Sequence, residues 1–249
     1  MWKTGLKRTS SNFRGFPFYG IAALLLLILL HPLPILSESF EEERERMVDR
    51  HLAGRDITDP RVLAAMSRVP REEFVLPAYR DRAYADAALP IREKQTISQP
   101  YIVALMTQAA ALKPTDRVLE VGTGSGYQAA VLAELVQEVY SIEIIEPLAR
   151  RAGERLKALG YKNVHVRHGD GYRGWPERAP FDAILITAAA PKLPQPLVDQ
   201  LKMGGRIVVP LDNVLFHQDL IRFTKTPDGL KKEKITAVQF VPMTGEVRE

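Results

Sequence analysis

The apolar run Val118-Leu119-Glu120-Val121 leads into Gly122-Thr123-Gly124-Ser125-Gly126 and then Tyr127. Glycine has no Cβ and reaches positive φ freely, so this turn lets the backbone close on a ligand at the start of a helix. The spacing is G-x-G-x-G. A dinucleotide fingerprint, G-x-G-x-x-G, would need glycine where Tyr127 stands, and a nicotinamide reading therefore lacks its third glycine. Glu143, 21 residues beyond Gly122, closes the next β-rich run. A carboxylate there can accept hydrogen bonds from both hydroxyls of a ribose. Gly122, Gly124, Gly126 and Glu143 are thus the candidate cofactor ligands. The plainer alternatives are a tight strand-to-helix turn and a solvated charge at a strand end. Glu146, just before Pro147, reads as a helix N-terminal charge favoured by the dipole. In His168-Gly169-Asp170-Gly171, Asp170 and Gly171 are candidates for contact with an adenine amino group, and an Asx turn explains the same residues equally well.

Other chemistries are poorly served. The chain has no cysteine, which excludes disulfides, thiolate catalysis and zinc-thiolate sites. Its histidines are His31, His51, His165, His168 and His217, and none forms a helical i, i+4 pair around a carboxylate. No metal is expected. His165 and His168 are expected to flank a strand end.

The elements that must position these residues follow from pattern. From Asp116 onward, β-rich runs alternate with helical ones, the signature of βαβ units and a parallel sheet. The expected strands are Arg117–Val121, Val139–Glu143, Val164–Val166, Phe181–Thr187 and Arg206–Pro210. The expected helices are Tyr127–Leu135, Pro147–Leu159 and Gln195–Leu201, with Gly160 and Gly204-Gly205 placed to end two of them. Leu220–Lys225 and Lys234–Phe240, joined through Thr226-Pro227-Asp228-Gly229, predict an antiparallel hairpin. Upstream, Asp59-Pro60 reads as an N-cap and first helical residue, and Val69-Pro70 as that helix's end. Ser98 reads as an N-cap for a helix over Tyr101–Leu112.

At 249 residues the chain suits one α/β domain of roughly 200 residues, with no large second domain. The expected division is a leader over 1–40 and a single domain over 41–249, helical over 41–112 and α/β over 113–249. The formal charge is +4. Lys3, Lys7, Arg8 and Arg14 supply all of that excess, and residues 1–37 contain no Asp or Glu. The remaining chain is neutral, so nucleic acid is not expected as a partner. Ile21–Leu30 is uninterrupted apolar sequence, shorter than the ~20 residues of a spanning helix and stopped by His31, Pro32 and Pro34. It has the form of a signal peptide or short anchor, with Ser37-Glu38-Ser39 as a loose cleavage site. The alternative is a misassigned start, since Met47-Val48 could open the domain. Basic residues before the run would place the domain outside the cytoplasm.

Beyond these features, the sequence from Met47 to Gly245 closely resembles the bacterial protein-L-isoaspartate O-methyltransferases. The resemblance rests on Val69-Pro70-Arg71-Glu72-Glu73-Phe74-Val75, on Gln95-Thr96-Ile97-Ser98-Gln99-Pro100-Tyr101 and on Leu119–Gly126. It continues through Gly169-Asp170-Gly171, Ala179-Pro180-Phe181-Asp182-Ala183-Ile184, Gly204-Gly205-Arg206 and Phe240-Val241-Pro242. The glycine turn is common to many methyltransferases, whereas the T-I-S-Q-P segment is far more specific. Two departures lie in loops near the expected cleft. Arg92-Glu93-Lys94 stands where the family usually has glycines, and Pro210-Leu211-Asp212 where it usually has Pro-Val-Gly; Gln218 and Leu220 still match.

The resemblance implies a Rossmann-like fold binding S-adenosyl-L-methionine, and methylation of L-isoaspartyl and D-aspartyl carboxylates in damaged proteins as the first step of repair. It assigns the active-site role to Ser98 and substrate contacts to Thr96, Ile97, Gln99 and Pro100. The expected partners are damaged proteins or peptides bound in extended form by a monomer, with membrane contact only through the N-terminal apolar segment. The family and the site of cofactor synthesis favour the cytoplasm, against the leader. The rival readings are a methyltransferase acting on another acceptor and a tethered binding module that has lost catalysis.

Overall fold

Ser39 opens the first helix with a reciprocal cap: its hydroxyl accepts from Glu42 N, and the Glu42 carboxylate accepts from Ser39 N at 2.8 Å. This satisfies two otherwise orphaned backbone donors. The structure is a computed structural model describing Met1, Trp2, Gly5 and residues 39–212 and 217–248; the apolar run Ile21–Leu30 and the proposed cleavage site at Ser37-Glu38 lie outside the described residues. Among those described, no helix is long and apolar enough to cross a membrane.

Helix α1 (Phe40–Met47) continues into a wider helical turn over Val48–Ala53. Helix α2 (Pro60–Arg68) starts as the sequence indicates: Asp59 caps Arg61 N, Pro60 takes the first helical position, and Val69 turns extended before Pro70. A small hairpin, β1 (Leu89–Pro90) with β2 (Thr96–Ile97), precedes α3 (Pro100–Ala109). Here the N-cap expectation fails. The helix begins at Pro100, the residue at its N-cap is Gln99, and no side chain of the N-cap residue closes it. Asp86 instead accepts from Tyr101 N at 3.2 Å, a partner too distant in sequence for local pattern to reveal.

The β1–β2 turn contains the first loop departure. Gln95 N donates to Arg92 O at 3.2 Å, and both central residues, Glu93 and Lys94, have positive φ, 58° and 57°. Such turns favour Asn-Gly, because a Cβ in the left-handed region costs roughly 1–2 kcal/mol. Lys94→Gly is therefore expected to stabilise the protein by about 0.5–1 kcal/mol once glycine's extra backbone entropy, about 0.5–1 kcal/mol, is subtracted. Urea unfolding measures this, and a loss of stability would mean that the Lys94 side chain contributes more than its strain costs.

The main sheet has seven strands: β3 (Arg117–Val121), β4 (Glu138–Glu143), β5 (Val164–His168), β6 (Phe181–Ile186), β7 (Leu201–Asp212), β8 (Gln218–Thr226) and β9 (Gly229–Val238). Their order is β5-β4-β3-β6-β7-β8-β9, parallel except for β8, which runs antiparallel to both neighbours. Helices α4 (Tyr127–Ala133), α5 (Glu146–Ala158) and α6 (Gln195–Asp199) make three of the four parallel crossovers, and two 3₁₀ turns, Gly171–Arg173 and Pro176–Arg178, make the one from β5 to β6. The inner strands are buried almost throughout, with successive residues pointing to opposite faces. Val118, Val139, Ala183, Leu185 and Val208 face one apolar layer with Met66, Ala130 and Leu156 from the helices. Leu119, Val121, Ile142, Ile184 and Ile207 face the other, with Leu197 of α6 and Met243 of the C-terminal tail. A sheet covered on both faces reads as nearly continuous apolar strands, which is why β3 and β6 were legible at nearly their full length.

Several boundaries differ from pattern. Gly204-Gly205 does not end a helix; α6 ends at Asp199, and both glycines lie in β7, where the pairing slips between Phe181↔Leu201 and Ala183↔Arg206 and Gly204 reaches φ 77°. This is a bulge that adds residues to one strand without breaking the ladder. His165 and His168 lie within β5 rather than flanking it, paired with Tyr140 and Glu143. The terminal hairpin turns directly from Thr226 to Gly229, so β9 begins earlier than expected and Phe240 falls beyond it. Strand order reverses between β3 and β6, and in open α/β sheets the crevice at the carboxyl ends of such strands receives ligands.

Candidate active site

At that crevice, Gly122 leaves β3 with φ 100° while its N–H still donates to Ile142 O at 2.8 Å. The Thr187 hydroxyl, beyond β6, donates to Gly122 O at 2.6 Å, and a Cβ on residue 122 would stand 2.6 Å from that oxygen. Glycine is therefore required by conformation and by space. The next turn of chain is tied to β4. The buried Glu143 carboxylate accepts from Gly124 N at 2.8 Å with one oxygen and from Ile145 N at 3.0 Å with the other. One side chain thus links the glycine turn to the start of α5.

Beneath the turn lies a second acid that sequence reasoning missed. Glu120, fully buried in β3, accepts a short hydrogen bond from the Ser141 hydroxyl, and Ser141 Oγ is 2.5 Å from Thr123 Oγ1. The other Glu120 oxygen is buried without a partner among the described residues. Burial pushes this carboxyl up to about 8; the Ser141 hydrogen bond opposes the shift and the Glu143 charge adds to it. The signal is an acid inside the apolar run Val118–Val121. Below an ordinary carboxyl pKa both folded and unfolded chains hold this proton. Between that value and about 8 only the folded chain does, so stability falls as pH rises through the window, by about 1.4 kcal/mol per unit at most. Glu120→Gln should remove that slope, leaving the variant more thermostable than the wild type at pH 8 by a margin that shrinks toward pH 5. Melting curves with identical pH slopes would show instead that Glu120 is ionised in the native protein.

Around Glu143 opens a concave, partly apolar cavity, the kind of site that receives small ligands. Its walls are Thr96–Ser98, the turn Gly122–Ser125, Ile142–Ile145, Gly171, Thr187-Ala188 and the tail segment Val241–Thr244. Gly171 must be glycine to sit there, since a Cβ would meet Val121 Cγ1 at 2.2 Å. The tail is held by strand-like bonds to the segment after β6: Ala189 N donates to Val241 O at 2.9 Å and Met243 N to Ala189 O at 2.7 Å.

Of the residues singled out from sequence, Gly122, Gly124, Glu143, Gly171, Thr96, Ile97 and Ser98 line this cavity. Gly126 stands behind the wall as the N-cap of α4, at φ 95° against Leu156. Pro100 is buried as the first residue of α3. Asp170 is engaged with the chain itself: one oxygen accepts from Tyr172 N in an Asx turn and the other from Glu246 N, both at 2.9 Å. Glu146 is exposed at the start of α5, away from the cavity. The tail segment Val241–Thr244 joins the wall through tertiary pairing, which local sequence does not announce.

A second cleft lies between Ala88, Gln99 and Ile102 on one side and Ala237–Phe240 on the other. Thr96 and Ser98 line both spaces. Among the described residues the Ser98 hydroxyl has no hydrogen-bond partner, while the Ser98 carbonyl accepts from Arg71 Nη2 at 2.8 Å. The arrangement can bind one ligand against Glu143 and a second in the adjoining cleft, with a hydroxyl donor where they meet. Among the described residues no group of His, Asp and Glu is placed to hold a metal.

The family model for protein-L-isoaspartate(D-aspartate) O-methyltransferase matches residues 42–248. A protein-L-isoaspartate O-methyltransferase of Synechococcus sp. is 56% identical over 216 residues, covering 84% of this chain and 88% of the relative. One from Opitutus terrae is 55% identical over 229 residues, 90% of this chain and 98% of its own. Among solved structures, a Plasmodium falciparum chain described as a beta-aspartate methyltransferase in complex with S-adenosyl-L-homocysteine aligns with TM-score 0.70 at 27% identity, covering 81% of this chain and 98% of that one.

Proposed function

The chain belongs to the protein-L-isoaspartate(D-aspartate) O-methyltransferase family, and from that membership we propose its reaction: methyl transfer from S-adenosyl-L-methionine to the free carboxylate of L-isoaspartyl and D-aspartyl residues in damaged proteins. The observation that carries this reading is the place of Ser98, shared by the cavity built on Glu143 and the cleft beside β9.

The cavity fits the cofactor. The Glu143 carboxylate uses two of its roughly four acceptor positions on backbone N–H groups and keeps the rest for sugar hydroxyls. Ile142, Ile144 and Val121 offer apolar walls to a flat base, and Gly122, Gly124 and Gly171 leave the backbone open to close approach. When bound, S-adenosyl-L-methionine supplies an electrophilic methyl carbon on a cationic sulfur. The protein's task is positioning, worth many kcal/mol in an in-line displacement. A substrate carboxylate with a pKa near ~4 is already ionised at neutral pH, so no strong general base is needed. Ser98 donates its hydroxyl to one carboxylate oxygen and so aims the other at the cavity. Thr96, Ile97, Gln99 and Pro100 shape the approach. An extended segment carrying the extra backbone carbon of an isoaspartyl link lies in the second cleft. The methyl ester product then cyclises as the following backbone nitrogen displaces methanol, and hydrolysis of the succinimide returns some normal aspartyl linkage.

Residues 41–249 act as one catalytic unit, as a monomer, on protein rather than nucleic acid. Cofactor supply favours the cytoplasm; a reporter fused after Glu41 and active only outside the inner membrane would overturn that placement. The reaction is tested by isotopic methyl transfer to matched peptides containing isoaspartate or aspartate. A base-labile ester on the isoaspartyl peptide alone is expected. Retained S-adenosylhomocysteine binding with no transfer to either peptide would reject this acceptor.

A further inference from the structure

Arg71 is fully buried, an expensive place for a cation unless its donors are used. Nε donates to Ala83 O at 2.7 Å and Nη2 to Ser98 O at 2.8 Å, while its guanidinium carbon lies 4.7 Å from the centre of the ring of Tyr127, a residue that lines the cofactor cavity. Burial lowers the Arg71 pKa and Tyr127 opposes the shift. Nη1 is buried with no hydrogen-bond partner among the described residues. Asp86 grips the same segment farther along the chain. One carboxylate oxygen accepts from Tyr101 N at 3.2 Å; the other accepts from Gln99 Nε2 at 2.8 Å and pairs with Arg55 Nη1 at 3.2 Å. Arg71 holds the carbonyl of Ser98, and Asp86 holds the two residues that flank Pro100. Neither lines either cavity.

We propose that Arg71 is a positioning residue for methyl transfer, fixing the peptide unit between Ser98 and Gln99 so that the Ser98 hydroxyl meets the substrate carboxylate, with Asp86 anchoring the far end of the segment. The proposal rests on the role given to Ser98 above. A merely structural need for filled volume would be met at lower electrostatic cost by an apolar side chain. The guanidinium provides something else: donors in a rigid planar fork that bridge two carbonyls from separate loops while the ring face of Tyr127 packs beneath. Lysine carries the charge but not the fork, so it cannot hold both carbonyls at a fixed separation.

The test is a double-mutant cycle in the full chain. Arg71→Lys should lower kcat/KM for an isoaspartyl peptide by about tenfold or more, chiefly in kcat, while the Kd for S-adenosylhomocysteine stays within about twofold. If Arg71 acts through Ser98, then Arg71→Lys combined with Ser98→Ala will be hardly slower than Ser98→Ala alone. Multiplying losses, or a parallel loss of S-adenosylhomocysteine binding, would overturn the proposal. Should Arg71→Lys fail to fold, Asp86→Asn enters the same cycle: its side chain is partly exposed, and the amide turns one acceptor into a donor facing Gln99. Independent effects of Asp86→Asn and Ser98→Ala would count equally against the proposal. A wild-type protein that methylates no isoaspartyl peptide would overturn the assigned reaction and this inference together; an active wild type with multiplying losses overturns the inference alone.

Discussion

Glu143→Gln is expected to weaken S-adenosylhomocysteine binding by at least about a hundredfold. Two hydrogen bonds from sugar hydroxyls to a charged acceptor contribute about 1.5–3 kcal/mol each, and about 1.4 kcal/mol corresponds to a factor of ten. The variant suffers a second loss within the protein. Gly124 N and Ile145 N donate to opposite oxygens of the wild-type carboxylate; glutamine offers an oxygen to only one of them and turns an N–H₂ group on the other. The glycine turn and the start of α5 then lose their common anchor. Calorimetry reads the affinity, and circular dichroism confirms that the sheet persists. An unchanged Kd would remove Glu143 from the cofactor site. Glu146 could not then inherit the role, because it is exposed at the helix start outside the cavity.

Ser98→Ala should lower kcat/KM for an isoaspartyl peptide by about tenfold to a hundredfold, the effect of losing a charge-assisted hydrogen bond of about 1.5–3 kcal/mol. Cofactor affinity should barely change. The structure sharpens this test, because a cap explanation is no longer available: α3 starts at Pro100 and its first free N–H, that of Tyr101, is satisfied by Asp86. The Ser98 hydroxyl has no partner among the described residues to lose, so alanine is expected to melt close to the wild type. Ser98→Gly extends the comparison by removing the hydroxyl together with the Cβ that restrains the loop. Near-normal turnover by both variants would remove Ser98 from the reaction.

What could be read from sequence depended on the range of the interactions involved. Strands β3, β4 and β6 and the glycine turn were legible because apolar periodicity and glycine spacing are local consequences of burial and backbone geometry. Glu143 was legible because the length of a βα unit fixes where the next strand ends. Ser98 became a candidate only through family resemblance; its immediate neighbours suggested a helix cap, and the residue that supplies the cap, Asp86, comes from a separate loop. Arg71 sat in a matched segment with no assigned task, since nothing nearby announces that a surface-type residue will be wholly buried. The Gly204-Gly205 pair carried a true signal of unusual backbone, yet glycine ends a helix and permits a bulge equally well, and only pairing with β6 decides between them.

The cavity wall contributed by Val241–Thr244 also sets an order in time. Chains are made from the amino terminus onward and fold as they emerge. Every other wall, from Thr96 to Ala188, is therefore synthesised before this one, and the tail is held in place by pairing with Ala189, by the Asp170 bond to Glu246 N and by burial of Met243 and Val247. Once residues up to about 240 have left the ribosome, the chain can assemble the sheet and the glycine turn while the side of the cofactor cavity closed by Val241–Thr244 is still open. Cofactor retention is thus expected to depend on the last wall to be made, and methyl transfer to begin only once the tail has paired.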